Sequence, residues 1–235
     1  MDTYRALHSP HRDCVSWEYL PRIQKVGQPA LDIDRPLIHR LQELSSYLFF
    51  PESEIRDIFG TADVHKIIEC SCGTCHEGKV TRNLAERRGL VDQLQERKLT
   101  ILLAILVYIG HPYLFSWVAL DSRVSDENLD AVTTFLRRDD NIKTSKAKIM
   151  LEDVEDFCRF YTSAVMLFQP PTIQMGGPTE PYGEWRRMPF LNDLPHDQGA
   201  SGKVRKFDIH EDYLDPKIKE MDWYKGAGKV SLVIH

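Results

Sequence analysis

From Asp34 onward, apolar residues recur at helical spacing. Leu37, Ile38, Leu41, Leu44 and Leu48 share one face, with Asp34 as N-cap and Pro36 in the first turn. This predicts an amphipathic helix. A shorter helix is expected over 51–59, stopped by Gly60, and a third from about Ala62 to Glu69. Leu90, Val91, Leu94, Ile101, Leu102, Ile105 and Ile109 then predict one long helix over 84–109, which Gly110 and Pro112 stop. Its second half, from Leu99, is apolar nearly all round, as expected of the central helix of a bundle. That stretch is well short of the roughly 20 residues a transmembrane helix needs.

Ser125 is expected to cap a helix running to Arg138, with Asp126 and Glu127 favourably placed in its first turn. The segment RRDDNIKTSK reads as a solvated turn. Over 146–168, Ala147, Met150, Leu151, Val154, Phe157, Cys158, Tyr161, Ala164, Val165 and Phe168 form one broad apolar stripe. Its acidic pairs, Glu152-Asp153 and Glu155-Asp156, fall on the polar side and read as a solvated face. Beyond Phe168, prolines and glycines accumulate and the helical period is lost. The chain next alternates as strands do, with Arg205, Phe207 and Ile209 on one face. The expected fold is mainly α: an N-terminal arm (1–33), a helical bundle (34–168), a linker (169–189) and a small β segment (190–235).

Composition narrows the choices. The chain has 235 residues, of which 42% are hydrophobic, enough for a sizeable core. A net charge of -5 gives no basic footprint, so no nucleic-acid partner is implied, and no membrane partner either. The opening residues lack the pattern of a secretory signal, so the expected compartment is the cytoplasm, with the nucleus also open. Five cysteines, an odd number, then read as reduced thiols rather than a disulfide framework. Cys158, on an apolar stripe, reads as a small core hydrophobe.

Three of the five cysteines lie in ECSCGTCHEG, residues 69–78. Cys72 to His76 spell the haem c attachment pattern, but the match is short and the export context is missing. A thioredoxin-type pair at Cys72 and Cys75 calls for the start of a helix in a βαβ setting, whereas here the motif follows a helix. Reduced loop thiols without a ligand are the default expectation. The leading chemical alternative is structural zinc, because Cys70, Cys72 and Cys75 bring three thiolates into one tight turn. The fourth tetrahedral position is open to His76, His65 or the distant Cys14, and the candidate set is Cys70, Cys72, Cys75 and His76.

Gly199, Ala200, Ser201, Gly202, Lys203 and Val204 lie between two strand-like segments. This stretch resembles the latter part of the glycine-rich loop of protein kinases, where small residues let backbone N–H groups approach the ATP phosphates and the valine packs on adenine. Its setting, RMPFLNDLPHDQGASGKVRKFDIHEDYLD, is similar to the start of the kinase domain in a group of fungal protein-kinase-like proteins with a helical N-terminal region, and LLAILVYIGHPYLFSWV is similar to that region. The resemblance implies an incomplete kinase N-lobe, with ATP as the family ligand at Gly199, Ala200, Ser201, Gly202 and Val204. It also implies a regulatory or interaction role for the helices, with a protein partner.

The loop departs from the pattern at Asp197, which takes the first glycine position, and at Ser201, which takes the place of the aromatic tip. His235 falls where the strand KVSLVIH should supply the phosphate-pairing lysine. No catalytic-loop or metal-binding aspartate follows, so no residue is assigned a catalytic role and the chain is expected to be inactive as a kinase. The competing expectation is a self-contained helical binding or scaffold protein without kinase ancestry.

Overall fold

The computed structural model describes residues 13–29, 48–70, 72, 73, 75, 98–119, 121–138, 154–175, 189–199, 202–227 and 231–234. The fold is mainly helical. Two compact units divide the chain: residues 1–26 with 52–165, and residues 27–51 with 166–235. The division differs from the linear partition read in the sequence, because 27–51 belong with the C-terminal residues.

The first unit contains α1 (Ser16–Val26), α2 (Glu52–Ile58), α3 (Thr61–Glu69), α4 (Thr100–Tyr108), a 3-10 turn (Pro112–Leu114), α5 (Phe115–Val118), α6 (Asp130–Arg138) and most of α7 (Val154–Phe168). The expected central helix is there, and residues Ile101 through Val107 are all buried. Helices α1 and α2 pack against it and against each other. Tyr161, Phe157 and Cys158 of α7 are buried, with Tyr161 Oη donating to the Leu129 carbonyl at 3.2 Å. In the described part of the stripe, Phe157, Cys158, Tyr161, Ala164 and Phe168 are core, as the period predicts, and Val154 and Val165 are half-buried.

The long helix read over 84–109 is corrected at its start. α4 begins at Thr100, and Lys98 just before it has a left-handed backbone (φ 49°), which no continuous helix passes through. Asp126 is the physical reason: its carboxylate accepts the backbone N–H groups of Ile101 (3.1 Å) and Leu102 (3.0 Å) and so satisfies donors that a new helix leaves open. Arg56 donates to the same carboxylate at 3.1 Å. The helix expected from Ser125 is corrected too. It starts at Asp130, and Asp126 is buried at the head of α4 instead of lying in the first turn of α6. The helix expected from Asp34 lies outside the described residues as far as 47, and Leu48, expected on its apolar face, is instead in a short strand, Leu48–Phe49, which ends that helix before it; 84–97, the turn after Arg138 and 146–153 also lie outside the described residues.

In the second unit, β1 (Gln28–Pro29) pairs with β2 (Leu48–Phe49). A second, antiparallel sheet has the order β3 (Phe190–Gly199), β4 (Gly202–Ile209), β5 (Ser231–Ile234). A 3-10 turn (Glu211–Tyr213) and two short helices, α8 (Pro216–Lys219) and α9 (Asp222–Ala227), lie between β4 and β5 in the chain. Phe50 stacks on Phe168 at 4.4 Å, and Tyr213 Oη donates to the Phe50 carbonyl at 2.9 Å. Phe49 and Tyr213 form a small core with Leu191. Within the stretch read as a linker, Ile173 bridges to Leu214: its N–H donates to the Tyr213 carbonyl at 2.7 Å.

Candidate metal centre

Helix α3 delivers the cysteine loop. Gly60 caps it, with Asp63 Oδ2 accepting the Gly60 N–H at 3.2 Å, and the helix ends where Cys70 N–H bonds the Ile67 carbonyl at 3.3 Å. Cys70 therefore turns away at the helix end, where its sulfur is buried. Cys75 is also buried and Cys72 is half-buried. The Cys75 N–H points at Cys72 Sγ at 3.5 Å, a contact that favours negative charge on that sulfur.

The fourth residue at the cluster is Cys14, one of the positions left open by the sequence. Its sulfur lies 3.9 Å from Cys70 Sγ and 3.5 Å from Cys75 Sγ, and one ligand atom of each of Cys14, Cys70, Cys72 and Cys75 lies within 4.8 Å of all the others. His76, in the set expected from the motif, lies outside the described residues. His65, on α3, is not in the cluster. Arithmetic on the sequence held the signal for Cys14. Five cysteines less Cys158, read as core, leave four, the number a closed tetrahedral site takes.

Cys14 precedes α1, and Ser16 Oγ lies 3.0 Å from its sulfur. Charge is unevenly shared in the thiol cluster. The Cys75 thiol hydrogen-bonds to Cys14 and lowers it to about 5, and that same bond, followed by burial, pushes Cys75 far above the ordinary thiol range. Burial raises Cys72 to about 11. A buried group of thiols holds one negative charge at low cost and resists further ionisation unless a cation joins it. None of the five cysteines is in a disulfide.

Two of these separations lie close to what a metal site demands. A zinc–sulfur bond of about 2.3 Å sets the edge of a ZnS4 tetrahedron at about 3.8 Å, between the two sulfur separations of 3.5 and 3.9 Å. The four-cysteine cluster is close enough to bind a metal ion.

The other site expected from the sequence lies in the second unit. Gly199 and Gly202 face each other at the end of the β3–β4 hairpin, and Asp197 is opposite Val204. Ala200 and Ser201 lie outside the described residues. No helix among the described residues is long and apolar enough to cross a membrane. Comparison with protein-family models, curated proteins and solved structures finds no match to this chain.

Proposed function

We propose that the chain is a helical protein-interaction or regulatory module, stapled by a structural zinc ion at Cys14, Cys70, Cys72 and Cys75, and followed by the opening strands of a protein-kinase-like lobe. The observation that carries the zinc reading is the meeting of four sulfurs, from two segments far apart in sequence, all within 4.8 Å of one another, with two separations near the edge of a tetrahedral thiolate site. Four protein sulfurs close the coordination shell and leave no position for an activated water, which makes the role structural. Ligand softness favours zinc over magnesium or calcium, which take oxygen ligands.

The kinase-like part is supported by strand order. Gly199 and Gly202 pair where β3 and β4 meet, and β5 pairs antiparallel with β4 after an intervening helical segment. Asp197 at the loop's first glycine position adds negative charge where a triphosphate would sit, so nucleotide binding is weak or absent and the lobe serves a role other than phosphoryl transfer. The deciding experiment is elemental analysis of the full chain purified without added zinc. About one zinc per chain is expected, falling to background when Cys72 and Cys75 are both changed to Ser. Metal-free wild-type protein whose melting temperature ignores chelators would refute the staple.

A further inference from the structure

The four ligands are unequal in origin. Cys70, Cys72 and Cys75 come from one turn of chain, whereas Cys14 lies 56 residues before Cys70. The three local thiolates meet at little cost in chain entropy, but bringing Cys14 to them closes a long loop. Resting on the zinc reading above, we propose that the ion is a clasp for α1: the local thiolates capture it first, Cys14 closes over it last, and α1 is docked on the rest of the first unit only in metal-loaded protein.

α1 is built to depend on such a clasp. It has 11 residues, with Pro21 in its interior, too short and too interrupted to be stable alone. Its large buried anchors are Tyr19 and Ile23. Tyr19 stacks on Phe59 at 5.5 Å and donates to Asp63 Oδ1 at 2.7 Å, so the face that docks includes this one polar tie. Cys14 sits at the amino end of the helix, its carbonyl accepting the Trp17 N–H at 2.9 Å and its sulfur beside Ser16 Oγ. Coordinating that sulfur therefore fixes the position of the first turn, and Tyr19 and Ile23 follow on the same face. A thiolate bound to the ion is also favoured at the positive end of a helix.

The test uses the full chain under reducing conditions, stripped by a chelator or loaded with Zn²⁺, and followed by amide hydrogen exchange. Zinc is expected to slow exchange in 16–26 by at least about tenfold and to change 100–108 much less. Cys14→Ser should still bind Co²⁺, with a weaker thiolate charge-transfer band than wild type, yet exchange in 16–26 should match the stripped protein. Cys72→Ser, which removes a local ligand, should weaken Co²⁺ binding more than Cys14→Ser does. Zinc-loaded wild type with unchanged exchange in 16–26 overturns the clasp while leaving the zinc site standing, and so does equal loss of Co²⁺ in the two variants. Absence of any charge-transfer band in wild type would instead sink the zinc reading, and the clasp with it. If Cys14→Ser fails to fold, the stripped and loaded wild-type comparison decides alone.

Discussion

Asp126 shows how one side chain sets an element boundary. Its carboxylate is buried, yet it accepts two backbone N–H groups and pairs with Arg56, so its removal strands several donors. Asp126→Ala should lower stability by about 2–4 kcal/mol in urea denaturation, combining a lost cap with unsatisfied buried groups. Burial, outweighing those hydrogen bonds, pushes Asp126 up to about 6. The folded chain thus keeps a proton at pH values where the unfolded chain has released it. The stability from this group is fully present below the ordinary carboxylate value and is lost as pH rises through about 6. Compared with Asp126→Asn, wild type should lose on the order of 3 kcal/mol between pH about 4 and pH about 7. A flat difference across that window would contradict the assignment.

Elements follow the pattern where one face is buried and diverge where several are. α4 was recognisable as a buried helix because its apolar residues run all round, and every residue from Ile101 to Val107 is buried. Its start was not recognisable, because Leu90 to Leu94 continue the apolar period and the capping carboxylate comes from 25 residues beyond Ile101. With Leu103 fully enclosed, Leu103→Ala should cost about 2–5 kcal/mol, visible as a lower urea midpoint with little change in slope. Trp17, on α1, is more than a third exposed, so Trp17→Ala should change stability by only about 0.5 kcal/mol. A large loss there would mean that α1 docks through a different face.

Across the whole molecule, the four clustered cysteines all belong to one of the two units. Metal-binding energy is folding energy, so chelation should lower amide protection in this unit, most in 16–26 and far less in 100–108. The β4 amides, 202–209, should keep their protection, because their partners lie in the other unit. Equal loss of protection in both units would show a single cooperative block. Incubation with labelled ATP, Mg²⁺ and generic acceptors should give no turnover. Turnover that disappears when Gly199 and Gly202 are replaced by bulky residues would restore an active kinase reading.

Helical character, the burial of α4 and of the described part of α7, the strands that meet at Gly199 and Gly202, and three of the four clustered thiols were legible in the order of residues. Each is a local matter: periodicity over neighbouring residues, turn chemistry, or ligands within one stretch of chain. Long-range packing is what makes Cys14 the fourth sulfur, lets Asp126 begin α4 at Thr100, and joins 27–51 to the C-terminal unit. Those features depend on residues brought together from distant parts of the chain, and a pattern of neighbours carries no record of which long loops close.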